Sequence, residues 1–183
     1  MAVFVVLLRA IGPMTHRVMS MAQWREGVAA AGFTRPETYI ATGNMIVEGA
    51  GTAAEVTRRM NEVVLSLGLT MANVAVVRTP RQLRALVRAN PLPEAAAERA
   101  SQMGVYFFVK PRPDFGWIGD YEGPEEIRVE GNHLIVDYPG ATAQGSRLPG
   151  LIEKRSGTAT ARNWNTLTAL ANKATARERE ATA

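Results

Sequence analysis

The run Thr160-Ala161-Arg162-Asn163-Trp164-Asn165-Thr166 places a cation, two carboxamides, two hydroxyls and an indole within seven residues. Asparagine and threonine are poor choices for a helix whose only task is to pack. They suit positions where backbone N–H groups stay open and a polar group must be held. The spacing predicts that this run opens a last helix over about residues 163–174. At such a mouth the N–H groups and the positive end of the helix dipole attract an anion. Arg162 would add a planar fork for phosphate or carboxylate, with Thr160, Asn163, Asn165 and Thr166 orienting it. The competing reading is a cap. Asn163 or Thr160 then closes the helix, Trp164 anchors a core, and Arg162 bridges two lobes through backbone carbonyls.

Three other sets of residues bear on chemistry. Arg9 ends the apolar run Val3 to Leu8, and strand ends beside loops are frequent places for site residues. A salt bridge or a carbonyl contact would explain it as well. Asn44 follows Gly43, and Gly-Asn is a turn dipeptide with no need of a function. The functional reading joins Arg9, Asn44 and the Arg162 cluster at one lobe junction, around a small anionic ligand such as a nucleotide or sugar phosphate. The third set is Arg81, Arg84 and Arg88 on one face of a helix, with Arg78 just before it, while the other face carries Leu83, Leu86 and Val87. Such a stripe could track a nucleic-acid backbone. A solvated helix face explains the same pattern.

Composition removes several classes. The 183 residues contain no cysteine, so thiol catalysis, disulfides and thiolate metal sites are out. His16 and His133 lie far apart in sequence, so no metal and no cofactor is expected. Gly-x-Ser-x-Gly, Walker and dinucleotide patterns are missing, and nothing in the chain announces an enzyme. Asp114, Asp120 and Asp137 stand alone and read as turn and strand-edge polarity. No apolar run approaches the roughly 18 residues that would span a bilayer. No secretory leader is visible, so no membrane association and a cytoplasmic location are expected. A net charge of +4 and a pI of 9.8 fit a polyanionic partner, although an arginine-rich codon bias produces the same totals.

These residues need elements to position them. Val3 to Leu8 reads as a buried strand. Ser20 and Gln23 form a capping box before a helix marked by Met21, Trp24, Val28 and Ala31. Thr38 to Thr42 and Met45 to Val47 read as strands around a two-residue Gly43-Asn44 loop. Thr52 and Glu55 start a second helix, and Asn73 to Arg78 reads as a strand. The order β-α-β-β-α-β is the ferredoxin-like arrangement. Thr79 and Pro80 open a third helix that stops before Pro91. Beyond a connector, strands are expected at Gly104 to Lys110, Glu126 to Val129 and Leu134 to Tyr138. A small-residue loop from Pro139 to Ser146, a short helix over Pro149 to Lys154 and the last helix follow. The expectation is an α+β chain of two small lobes: a ferredoxin-like lobe at 1–89, a connector at 90–102, a smaller antiparallel lobe with C-terminal helices at 103–174, and a fraying tail at 175–183. No clean sequence repeat links the halves. The second is either a degenerate copy of the first or a different sheet.

Four segments together resemble a bacterial family, the domain of unknown function family 1697. Leu7-Leu8-Arg9-Ala10-Ile11-Gly12-Pro13 matches its first signature at the arginine and isoleucine, with Ala10 for a glycine, Gly12 for an asparagine and the paired glycines absent. Thr42-Gly43-Asn44-Met45-Ile46-Val47 matches its serine-glycine-asparagine strand, and Asn90-Pro91 its asparagine-proline. Arg162 to Thr166 matches its most specific pentapeptide. The resemblance extends over about residues 3–172. It implies two small α+β lobes and a polar site, and no particular activity.

Overall fold

The computed structural model describes residues 1–140 and 142–183; Ala141, within the expected Pro139 to Ser146 loop, lies outside the described residues. The chain forms two compact units. One comprises Met1–Arg84 with Leu170–Ala183, the other Ala85–Ala169. Each is built on a four-stranded antiparallel sheet.

The first unit contains strands β1 (Ala2–Leu8), β2 (Thr34–Tyr39), β3 (Asn44–Gly49) and β4 (Ala75–Arg78) in the order β2-β3-β1-β4. Helix α1 (Pro13–His16) and helix α2 (Met21–Ala30) join β1 to β2, and α3 (Ala53–Ser66) joins β3 to β4. This is the expected ferredoxin-like order. The Ser20–Gln23 and Thr52–Glu55 boxes are formed as read. Strand alternation sends Phe4, Val6, Leu8, Met45 and Val47 to one side, where Trp24, Val28, Val56, Met60 and Val64 cover them. The hairpin differs from expectation. Its loop holds residues 40–43, not Gly43-Asn44, because Ile40 and Gly43 take the positive φ values of 48° and 83°. Asn44 therefore becomes the first residue of β3. Helix α4 (Pro80–Ala89) follows β4, opened by Thr79 and Pro80 as expected.

The second unit takes in the end of α4 from Ala85, and α5 (Pro93–Glu98) follows in the expected connector. Strands β5 (Met103–Phe108), β6 (Glu126–Glu130), β7 (His133–Asp137) and β8 (Ala159–Asn163) form the order β6-β7-β5-β8. Counted from its own first strand, this is the same permutation as the first sheet. The second half is thus a structural copy, which the sequence left open. Its β5-to-β6 crossover has a coil at 109–125, with one 3-10 turn (Ile118–Asp120), where the first unit has helices. Phe115, Trp117, Ile118 and Tyr121 from that coil pack on the core of Tyr106, Phe108, Leu134, Val136 and Tyr138. Helix α6 (Leu148–Ser156) adds Leu148 and Ile152.

Strand β8 corrects the reading of Thr160 to Asn163 as the opening of a helix. These residues are paired to β5, Thr160 with Phe107 and Arg162 with Val105. The two alanines and the arginine favour helix by intrinsic propensity, and pairing with β5 overrides them. Helix α7 (Trp164–Thr182) starts only after it and runs through the tail that was expected to fray. The reason is electrostatic and local to the first unit. Arg177, only 8% exposed, donates to the Arg35 carbonyl at 2.8 Å and to Glu37 at 2.5 Å. Lys173 pairs with Glu37 at 3.1 Å, Arg84 with Glu178 at 2.5 Å, and Arg35 with Glu180 at 2.7 Å.

Candidate functional site

In the second unit a strand-to-helix corner gathers five of the expected site residues. Thr160 is buried, and its Oγ1 accepts a hydrogen bond from Arg162 Nη1 at 2.6 Å. The same Nη1 donates to the Ala161 carbonyl at 2.8 Å. Arg162 is half-buried, and desolvation pushes its guanidinium down to about 10. Asn163 Oδ1 accepts from the Thr166 N–H at 2.9 Å, which is an N-cap. Thr166 is buried and Asn165 is exposed. The capping reading is met at Asn163, while Asn165 faces solvent.

The first unit holds the same corner. Arg78 ends β4 opposite Val5, as Arg162 stands in β8 opposite Val105. Val5 pairs in turn with Ile46, and Val105 with Ile135. Arg78 Nη1 donates to the carbonyl of the preceding residue, Val77, at 2.9 Å, and burial also lowers its guanidinium to about 10. A cap and a helix follow both arginines. The caps differ. Thr79 N–H donates to Gln82 Oε1 at 2.9 Å while Gln82 N–H donates to Thr79 Oγ1 at 3.3 Å, a reciprocal box. Pro80, next in line, has no N–H to satisfy. Asn163 has no such return partner at Thr166, and Trp164 and Asn165 keep their N–H groups in the first turn of α7.

The residues expected from the first unit have structural work. Asn44 is fully buried; its Nδ2 donates to the Tyr39 carbonyl at 3.1 Å and Thr42 Oγ1 at 2.8 Å, closing the hairpin loop. Arg9 Nη1 donates to the Ala72 carbonyl at 3.2 Å, and Asn73 Nδ2 donates back to the carbonyls of Arg9 and Ala10 at 3.2 Å. The arginine stripe is broken. Arg78 ends β4, the strand expected for it, and Arg84 is tied to Glu178 and Thr175. Arg81 and Arg88 remain exposed on α4.

Several polar groups escaped the sequence reading. Asp137, taken as isolated, is buried and receives Arg99 through Nε at 3.0 Å and Nη2 at 2.6 Å. Tyr106 and Tyr138 share a buried hydroxyl contact of 2.5 Å. Desolvation raises both phenols, Tyr106 to about 12. Their partners lie more than 30 residues away in sequence, so no local spacing marks them. Among the described residues no group of three or more histidine or acidic side chains could hold a metal ion. None of their helices is long and apolar enough to cross a membrane.

The family profile described as Protein of unknown function (DUF1697) matches residues 1–134. The chain belongs to this family. The resemblance carried by Arg9, Thr42 to Val47 and Asn90-Pro91 is thereby shown, and the fold it implied is the one observed. A solved structure, the conserved bacterial protein SP0830 from Streptococcus pneumoniae, superposes with a TM-score of 0.75 at 16% identity, over 96% of this chain and 99% of its own. That likeness establishes a shared fold. No curated protein matches the chain.

Proposed function

We propose that this family member is a binding protein for a small phosphate-bearing ligand, held within the second unit where β8 turns into α7. The observation that carries the reading is the contrast between two equivalent corners. At Arg78-Thr79-Pro80 the helix start is closed by a reciprocal cap and a proline. At Arg162-Asn163-Trp164-Asn165 one cap bond is made and two first-turn N–H groups remain, beside an exposed carboxamide. Two of the hydrogen bonds that Arg162 makes go to a hydroxyl and a carbonyl, both neutral acceptors. A phosphate oxygen is a stronger, charge-assisted acceptor for the same fork. A desolvated guanidinium gains more from an anion than a hydrated one does. Arg162 and Asn165 would contact the anion, and Asn163 and Thr160 would hold them in place. Arg9 and Asn44 have no part in this reading.

The first sheet provides its own control. Inorganic phosphate and a nucleoside monophosphate would be titrated calorimetrically into wild type, Arg162→Ala and Arg78→Ala, each first shown to melt cooperatively. Loss of about 1.4 kcal/mol or more, a tenfold weakening, is expected for Arg162→Ala alone. Equal affinity in all three proteins, or an equal loss in both variants, rejects the assignment.

A further inference from the structure

Away from that corner, the other end of β8 gathers a different set of charges. Ser156, the last residue of α6, stitches the β5-to-β6 coil to the helix end: Trp117 Nε1 donates to Ser156 Oγ at 2.9 Å, and Ser156 Oγ donates to the Asp114 carbonyl at 2.5 Å. Gly157 follows at φ 107°, and a Cβ there would stand 3.3 Å from Lys110 Cδ, so the lysine stem lies along the glycine. These contacts bring Lys110 and Arg112 of the coil to the neighbourhood of Lys154 and Arg155 of α6. All four are exposed. None has an ion pair or side-chain hydrogen bond among the described residues. Two acids stand nearby and are held by backbone, Asp114 Oδ1 by the Gly116 N–H at 2.8 Å and Glu153 Oε1 by the Ala159 N–H at 3.2 Å, so the four cations outnumber them. Half-buried Phe115 and Trp117 stand in the same coil.

We infer that this corner, where α6 meets β8, is a docking surface for the phosphate backbone of a single-stranded nucleic acid. Four unpaired cations on two stitched segments make a sequence-independent electrostatic footprint. The part of the Phe115 and Trp117 rings that stays exposed beside them offers a contact to an unpaired base, which a base held in a duplex could not reach. A lipid surface fits less well, because Val109, 45% exposed, is the one large exposed apolar side chain at this corner among the described residues. The surface differs from the expected Arg78, Arg81, Arg84 and Arg88 stripe and from the Arg162 corner.

A labelled 12-nucleotide single strand, titrated with the full chain and followed by anisotropy, tests this. Four phosphate contacts give a slope of about −3 in log affinity against log salt, so binding weakens about 50-fold between 50 and 200 mM NaCl. Arg112→Gln with Arg155→Gln weakens binding at least tenfold and flattens the slope by about 1.4. The pair Arg81→Gln with Arg88→Gln leaves it unchanged. Trp24 and Trp164 are buried, so a change in indole emission on binding reports Trp117. No binding at 50 mM NaCl overturns the inference. So does wild-type affinity in the Arg112/Arg155 variant, or binding to phosphatidylglycerol vesicles in place of the oligonucleotide.

Discussion

The two sheets share a strand permutation and differ in what covers them. In the first, helices α2 and α3 lay Trp24, Val28, Val56, Met60 and Val64 over an aliphatic sheet face. In the second, a coil lays aromatic rings, and α6 lays Leu148 and Ile152, over Tyr106, Phe108 and Tyr138. A helix satisfies its own backbone groups, so its side chains are left to pack. A coil does not, and the second unit binds its own coil with side chains: Ser156 takes Trp117 and the Asp114 carbonyl, and Glu125 takes Tyr121 and Ser146. The same topology is therefore held once by greasy complementarity and once by a polar web. Polar webs leave residues near the surface that can be lent to a ligand, which is why both proposed contacts fall in the second unit.

The comparison breaks most easily at the hairpins. Gly43 and Gly131 occupy the equivalent loops, both with positive φ, at 83° and 58°. A Cβ at Gly43 would meet Ile11 Cγ1 at 2.7 Å and Leu8 Cβ at 2.9 Å, whereas at Gly131 nothing lies within 4 Å. Gly131→Ala meets backbone strain alone, about 1 kcal/mol. Gly43→Ala adds overlap in a packed site and should cost about 3 kcal/mol in urea unfolding. Equal losses would mean that the two loops are not held differently.

Alkali separates the two cores with a smaller effect. The Tyr106 phenol is buried and raised to about 12, and Tyr138 is raised further by burial and its neighbour. The folded protein keeps these protons more tightly than the unfolded chain, whose tyrosines titrate near about 10. Their contribution is thus fully present below about pH 10 and is lost as pH rises through about 12. Urea unfolding at pH 9 and pH 12 should differ by about 2 kcal/mol from Tyr106 alone, with Tyr138 adding to it, and Tyr106→Phe with Tyr138→Phe should remove both parts. The helix-covered core of the first unit contains no tyrosine, so an alkaline loss that survives the double substitution would assign it elsewhere.

What the sequence disclosed follows from how local each signal is. Capping boxes at Ser20–Gln23, Thr52–Glu55 and Thr79–Gln82 are written within four residues, and all three formed. The ferredoxin-like order followed from those boxes and the apolar strands between them. Strand β8 was missed because Ala159 to Asn163 has neither a continuous apolar run nor clean alternation; its conformation is set by β5, about 55 residues earlier. The tail was missed for a related reason. Alternating charges in residues 175–182 read as solvated until Glu37, Glu48 and Arg35 are placed beside Arg177 and Glu180. The copy in the second half stayed hidden because one crossover lost its helix. The polar corner itself was legible at Arg162 to Thr166, and what the sequence lacked was its twin at Arg78, the comparison that gives the corner meaning.

The smallest expected effect decides most about that corner. Asn165 is exposed at the second position of α7, and Asn163, not Asn165, supplies the cap. Replacing an exposed asparagine by alanine near a helix start improves intrinsic propensity, so Asn165→Ala should leave stability within about 0.5 kcal/mol of wild type or slightly above it. Asn163→Ala removes a cap and should cost about 1 kcal/mol, the same as Thr79→Ala at the twin corner. Stability therefore ranks the three variants by capping alone. Phosphate affinity ranks them differently, since a ligand at this corner is weakened by Asn165→Ala and Asn163→Ala and is indifferent to Thr79→Ala. If affinity instead tracks stability, with Asn165→Ala binding as wild type, the pentapeptide is a helix cap whose polarity ends at its own backbone. A large stability loss on Asn165→Ala would say the same by a different route, because an exposed side chain with no folding role cannot produce one.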